Sequence, residues 1–218
     1  QNLEQTGAIR LKFTTANQLE NVVGTPFADT ITGNSLVNVL YGGVGSDTID
    51  GREGNDLLFG DHPGFGDLNG HDNLYGGDGN DTVFAAPGDD LVFGDGGDDF
   101  IWAGVGNDTV DAGTGNDTIV AGTGNDTLTG DAGADVFIFF GNNGTDRITD
   151  FDIAEGDRLH LSRSAWQSSF GTLTAEQVEN SFGSLDANGN VVLTLGTSGT
   201  SIVLVGFTNL EAIDQYIT

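Results

Sequence analysis

Residues Ala103–Thr129 read AGVGNDTVD, AGTGNDTIV, AGTGNDTLT, three nine-residue units in tandem. The register extends in both directions from them. Gly42–Asp50 is GGVGSDTID, Gly51–Phe59 is GREGNDLLF and Gly76–Phe84 is GGDGNDTVF. Twelve units follow one another, the first beginning at Gly24 and the last at Gly130. Position six is Asp in eleven of them: Asp29, Asp47, Asp56, Asp72, Asp81, Asp90, Asp99, Asp108, Asp117, Asp126 and Asp135. Asn38 is the exception. Position eight is apolar in all twelve: Ile31, Leu40, Ile49, Leu58, Leu74, Val83, Val92, Ile101, Val110, Ile119, Leu128 and Phe137. One unit, Gly60–Tyr75, has sixteen residues and so carries a seven-residue insertion. It is expected to bulge from its turn without adding a strand.

A period of nine dictates local structure. The first six residues make a turn in which Gly supplies backbone freedom and lets carbonyls approach a ligand closely. The last three make a short strand with its middle side chain facing in. Two units form one coil of two parallel strands, and coils stack at about 4.8 Å. One inward aliphatic group per unit cannot offset the entropy of ordering nine residues, several of them Gly. Stacking also brings the position-six carboxylates within about 5 Å of one another along each edge. A cation between them removes that repulsion. A hard ion that accepts carboxylates and carbonyls together is Ca²⁺, whereas Mg²⁺ demands a small octahedron and keeps its waters.

The remaining composition bounds the chain. It has 218 residues, 33 acidic against 6 basic, a net charge of −27, 36 Gly, 3 Pro and no Cys. Residues 24–138 hold 26 of the Gly and 21 of the acids with one basic residue, Arg52, while 1–23 are neutral. That divides the chain into a lead-in strand (1–23), a repeat domain (24–138) and a C-terminal region (139–218). Such acidity with modest hydrophobicity reads as disorder in an aperiodic chain; the periodicity overrides it. Nucleic acid and anionic membranes are excluded as main partners because phosphate contact needs a basic face. Without Cys there are no disulfides, thiolate metal sites or Cys nucleophiles. Val136–Phe140, the longest wholly apolar run, is too short to span a bilayer. No secretory signal pattern opens the chain, and the lack of Met suggests a fragment or processed product.

The units resemble the RTX (repeats-in-toxin) calcium-binding repeat, GGxGxDxUx. Asp135–Ser162, with DVFIF, DRITDFD and EGDRLHLS, is similar to the segment that follows such repeats in RTX proteases, lipases and epimerases. The resemblance implies an all-β fold, a right-handed parallel β-roll with a C-terminal β-rich cap. It also implies Ca²⁺ sandwiched between turns on the same edge, with carbonyls at positions two and four completing the ligand set. Those are Gly43, Gly45, Gly54, Gly77, Gly79, Gly88, Gly97, Gly104, Gly106, Gly113, Gly115, Gly122 and Gly124. Units alternate edges, which allows ten interior sites at most; roughly seven to ten ions are expected, because such ions take about 6–8 oxygens and the first units are degenerate. Asp146, Asp150 and Asp152 are expected near a last site. The family further implies a secreted, extracellular product exported unfolded by a type I secretion machinery. The tail Leu210–Thr218 is compatible with such an export signal.

The implied function is a non-catalytic, calcium-gated folding, secretion and stability module joined to an upstream enzyme or toxin domain. No HExxH, GxSxG or P-loop motif occurs. The alternative is an adhesion module for a glycan or protein partner, using an outer face of the roll. Position nine of the even units is apolar throughout: Tyr41, Phe59, Phe84, Trp102, Val120 and Ile138. Residues 163–218, with strands near Val191–Leu195 and Ser201–Val205, are expected to fold over that face. The odd units carry Thr32, Asp50, Tyr75, Phe93, Asp111 and Thr129 there, an array too interrupted for ice. His62, His71, Asp61 and Asp67 crowd the insertion, where a solvated loop is favoured over a zinc site. His160 is read as a cap residue. Asp186–Asn190 opens like an EF-hand loop but lacks its Gly and closing Glu, and so reads as a tight hairpin turn.

Overall fold

A computed structural model describes residues 7–12, 20–62, 69–140, 144–161, 183–195 and 200–206. Among them all regular structure is β. Sheet A contains, in spatial order, β1 (Arg10–Lys12), β3 (Thr30–Thr32), β5 (Thr48–Glu53), β7 (Asn73–Asp78), β9 (Leu91–Gly96), β11 (Thr109–Asp111), β13 (Thr127–Thr129) and β15 (Thr145–Ile148). It continues through β19 (Thr200–Leu204), β18 (Val191–Leu195) and β17 (Gly183–Leu185). Sheet B contains β2 (Glu20–Val23), β4 (Asn38–Gly43), β6 (Leu57–Asp61), β8 (Thr82–Phe84), β10 (Phe100–Val105), β12 (Thr118–Thr123), β14 (Val136–Phe139) and β16 (Arg158–Leu161). Consecutive strands alternate between the sheets, and neighbours within a sheet are parallel, apart from β17–β18–β19. The chain is a parallel β-roll.

The register follows the sequence period. Ile101 pairs with Ile119 and Val110 with Leu128, eighteen residues apart. Across the insertion Ile49 pairs with Leu74, twenty-five apart, while strands on either side keep their places. The seven extra residues add no strand among the described residues, and 63–68, with Asp67, lie outside them. Every position-eight side chain points inward and is fully buried, so a single file of aliphatic groups runs along each sheet. At the C-terminal end the core widens, with Phe137 packed against Phe151 at 6.2 Å between ring centroids.

Strand stacking runs beyond the repeat units at both ends. Parallel stacking continues past residue 138, because β15 pairs with β13 and β16 with β14. Before residue 24 the chain supplies two strands, β1 and β2, one to each sheet. The reason is the same at both ends: Leu11, Val22, Ile148 and Leu159 serve as inward residues without a full nonapeptide around them.

The outer face of sheet B carries an aromatic ladder. Tyr41 stacks on Phe59 at 4.5 Å with 3° between ring planes, and Phe59 on Phe84 at 5.1 Å and 9°. Trp102 follows at 6.3 Å from Phe84 and meets Phe140 at 6.3 Å. The expected covering of this face by the tail is corrected. β19 joins β15 edge to edge and β18 joins β19, so the described tail strands extend sheet A. Trp102 stays 42% exposed. The open edge of β15 offers a whole row of main-chain hydrogen bonds, a stronger claim on these strands than side-chain contact with sheet B. The rest of 163–218 lies outside the described residues. The turn Asp186–Asn190 is indeed a hairpin joining antiparallel β17 and β18, closed by the Asp186 N–H to Asn190 carbonyl bond at 3.0 Å.

Positions two and four of most turns have left-handed backbone. Gly106 has φ +148°, and a Cβ on it would collide with the Gly88 carbonyl of the preceding coil. Ala86, at position two, tolerates φ +85° with strain. Gly106→Ala is therefore expected to cost about 2 kcal/mol or more, and Ala86→Gly to be neutral or stabilising by about 1 kcal/mol. Thermal unfolding of both variants in one buffer checks the pair.

Candidate metal centre

Each turn presents its position-six carboxylate to the edge of the roll, between coils. The side chains are buried: Asp47, Asp117 and Asp135 are fully inaccessible, and Asp56, Asp72, Asp81, Asp90, Asp99, Asp108 and Asp126 nearly so. Their bonding repeats from coil to coil. One oxygen, Oδ1, accepts the main-chain N–H of the corresponding residue one coil earlier. Asp72 N donates to Asp90 Oδ1 at 2.8 Å, Asp90 N to Asp108 at 2.9 Å, and Asp108 N to Asp126 at 2.9 Å. The other oxygen, Oδ2, has no hydrogen-bond donor in any of these residues. Two columns of buried, donorless carboxylate oxygens thus line the two edges of the roll.

Where position one is Gly42, Gly51, Gly60, Gly76 or Gly94, this oxygen lies beside the position-one carbonyl of the next coil. A Cβ built on Gly76 would lie 2.5 Å from Asp81 Oδ2 and 2.8 Å from the Gly94 carbonyl oxygen of the next coil. The small space left by the absent side chain is thereby lined by acceptors alone. Among the described residues no three Asp, Glu or His side chains converge on a point. A cation here would be held by one or two carboxylates with main-chain carbonyls supplying the rest, the donor set of a hard divalent ion. The residues present fit Ca²⁺. Position-one carbonyls, such as that of Gly94, join positions two and four as available oxygens. Several position-two carbonyls already accept an N–H from the next coil, as Ala86 does from Val105 at 3.0 Å.

Burial without a counter-ion shifts the carboxyls upward. Desolvation, opposed by the N–H bond to Oδ1, pushes Asp47, Asp56, Asp72, Asp108 and Asp135 up to about 7. Asp90, Asp99 and Asp146 reach about 8, and Asp81, Asp117 and Asp126 about 6. Neighbouring carboxylates contribute in most of them, a smaller effect than burial.

The columns are longer than the repeat suggests. Asp146 takes the N–H of Asp126 at 3.0 Å and Asp157 that of Asp135 at 3.0 Å. Asp146 also keeps a donorless Oδ2. Asp157 was not anticipated; the signal lay in Asp146-Arg-Ile148 and Asp157-Arg-Leu159, which repeat the Asp–x–apolar ending of a unit at irregular spacing. Asp150 and Asp152 are occupied elsewhere. Asp150 accepts the N–H groups of Gly130 and Asp131, and Asp152 that of Ala154. Asp61, also buried, raises the pKa of Asp72 and Asp90.

A second ladder was not foreseen. Position-five side chains on the outside accept the N–H of the next position five: Asp89 from Asn107 at 2.8 Å, Asn107 from Asn125 at 3.0 Å, and Asn125 from Thr145 at 2.9 Å. Asp98 and Asn116 do the same on the other edge. His71 belongs to this ladder, its Nδ1 accepting the Asp89 N–H at 2.7 Å, whereas His62 packs 5.0 Å from the Tyr41 ring. The two histidines therefore have separate roles. His160 is exposed on β16, paired with Ile138.

A parallel roll with an aspartate column on each edge defines a class, the calcium-binding nonapeptide solenoids. The model of the RTX calcium-binding nonapeptide repeat matches residues 32–61, 68–101, 84–119, 102–137 and 111–148, together just over half of the chain. The chain belongs to that family. Among solved structures it is similar to the extracellular lipase LipA from Serratia marcescens, at 18% identity and TM-score 0.40, covering 94% of this chain. It spans 40% of that lipase. It is also similar to a subunit of the Azotobacter vinelandii mannuronan C5-epimerase, at 22% identity and TM-score 0.37, covering 85% of this chain and 80% of that one. No curated protein sequence matches it.

The pKa shifts predict opposite pH responses with and without metal. Folded-state values raised above the ordinary carboxyl value stabilise the metal-free fold fully below pH 4, and that contribution is lost as pH rises through 6–8. Calcium-stripped protein should therefore gain β-structure on acidification from pH 8 to 5. In millimolar Ca²⁺ the same acidification should raise the calcium midpoint, since protons compete for the same oxygens. Circular dichroism across pH in the two buffers reads both trends.

Proposed function

We propose that this chain is a calcium-gated folding and stability module of a secreted bacterial protein, without catalytic chemistry of its own. The observation that carries the reading is the pair of columns of buried Oδ2 atoms that no protein group satisfies. The interior aspartates from Asp47 to Asp135, with Asp146, would hold roughly seven to ten Ca²⁺ ions, helped by turn carbonyls from Gly43 to Gly124. When bound, the ions supply positive charge between carboxylates that otherwise repel. The chain's own residues orient the oxygens, exclude water and set the spacing.

The magnitudes make this a switch. With site affinities of about 10⁻⁴ M, typical of extracellular modules, millimolar Ca²⁺ adds about 1.5 kcal/mol per site, or on the order of 10–15 kcal/mol in all. At the sub-micromolar level inside a cell the gain is near zero, and a net charge of −27 favours an expanded chain. Eight ions would lower that charge to about −11. An unfolded chain suits passage through a type I secretion machinery. Folding outside the cell would then protect an upstream catalytic or toxic domain. The rival reading of the aromatic face as a glycan platform has less support, since Tyr41, Phe59 and Phe84 spend their ring faces on one another and turn edges outward.

Calcium-stripped protein at pH 7.5 is expected to give a disordered far-ultraviolet spectrum. Millimolar Ca²⁺ should convert it cooperatively to a β spectrum, a chelator should reverse the change, and equimolar Mg²⁺ should not replace Ca²⁺. A β spectrum indifferent to chelation overturns the reading.

A further inference from the structure

Three of the four ends of the two carboxylate columns change chemistry; the fourth, Asp146 in sheet A's column, keeps a donorless Oδ2 like the interior turns. In interior turns Oδ2 has no protein donor. In the first turn of sheet A's column, Asp29 Oδ2 receives both the Thr25 N–H at 2.5 Å and the Thr25 hydroxyl at 2.9 Å, while Oδ1 takes the Ile9 N–H at 2.5 Å. In the first turn of sheet B's column the residue is Asn38. Its Oδ1 accepts the Asn34 N–H at 2.8 Å, and its Nδ2 donates to the position-four carbonyl of Leu36 at 2.8 Å. The one donorless or acceptorless buried side-chain atom of that turn is Nδ2 of Asn34, a donor, which has the wrong polarity to face a cation. At the far end of the same column Asp157 is closed on both oxygens, Oδ1 by the Asp135 N–H at 3.0 Å and Oδ2 by the Asp152 N–H at 2.8 Å.

The backbone tells the same story independently. Position two is left-handed in later turns even where the residue is not glycine, with φ +83° at Arg52, +70° at Asp95 and +60° at Asp131. Thr25 and Asn34 are outside the left-handed region. Their N–H groups reach the position-six side chain, a donor that no interior Oδ2 has.

In the turns of Asp29 and Asn38, Thr25, Phe27, Asn34 and Leu36 stand where most interior turns carry left-handed residues at positions two and four. An ion there would lose part of its shell of carbonyls and bind weakly, leaving the end of the roll to fray whenever calcium dips. An N–H donor satisfies the same oxygen and is always present. Building on the calcium reading above, we propose that the turns of Asp29, Asn38 and Asp157 are metal-independent stops. Protein donors stand where the ion stands in other turns, and calcium uptake is confined to the interior.

Calcium bound per chain, measured by equilibrium dialysis and elemental analysis at saturating Ca²⁺, separates the two ideas. Asp29→Asn and Asp157→Asn should bind as many ions as the unmodified chain. Asp108→Asn and Asp117→Asn should each bind at least one fewer. A loss in Asp29→Asn or Asp157→Asn equal to that in Asp108→Asn overturns the proposal. An unmodified chain that binds no calcium overturns instead the reading it rests on. If a variant fails to fold, anomalous scattering from crystals of the unmodified chain grown with Ca²⁺ decides. Peaks are expected at coordinating distance from Oδ2 of interior aspartates, and a peak within about 2.6 Å of a side-chain oxygen of Asp29, Asn38 or Asp157 refutes the stops.

Discussion

Everything in this roll is arranged around a repulsion. Parallel stacking is the only way a nonapeptide with one inward aliphatic side chain can bury it, and stacking necessarily aligns the position-six carboxylates. Each is then held by one N–H from the preceding coil, as Asp90 holds the Asp72 amide, and left with an oxygen that nothing in the protein satisfies. A buried anion in that state is costly unless it is protonated or paired. The glycines are part of the same constraint. They bring main-chain carbonyls against the orphaned oxygens and leave room that a side chain would fill.

The periodic part of the structure was legible because its period is rigid. A side chain every nine residues can only alternate between two sheets, so Ile101 over Ile119 and Asp99 over Asp117 followed from counting. The insertion in Gly60–Tyr75 did not disturb this: Leu74 still pairs with Ile49 on one side and Val92 on the other. Legibility ended where the period did. Asp146 lies twenty residues after Asp126 and Asp157 twenty-two after Asp135, so a fixed spacing misses one and leaves the other's role vague. The tail was misplaced for a related reason. Its strands were recognisable, but the choice between an apolar face and an open sheet edge depends on hydrogen bonds that composition does not display.

The position-five ladder shows a different kind of blindness. Asn at this position is conspicuous in GND, but nothing in the repeat spacing assigns it a partner. Its carboxamide in fact repeats the work of the buried aspartate on the outside of the bend, accepting the next coil's N–H. Asp89 and Asp98 do so with a charge, and the bonds hold their carboxyls below the usual range. Each bend is therefore bound to the next by an inner carboxylate and an outer amide or carboxylate. Only the inner one creates an electrostatic debt.

That asymmetry explains how a chain this acidic can be both inert and responsive. The outer ladder, the sheet hydrogen bonds and the aliphatic file need no ion, and they define what the coils will look like once formed. On the proposed reading, the inner columns oppose formation until positive charge arrives. Because neighbouring coils share the aligned carboxylates, an ion entering one gap would organise oxygens on both sides of it and lower the cost of filling the next. Nearest-neighbour coupling of this kind turns many weak sites into one steep transition. A steep transition would also need defined ends, and three of the four here are completed by the protein: by the amide of Asn38, by the hydroxyl and N–H of Thr25, and by the main-chain N–H of Asp152.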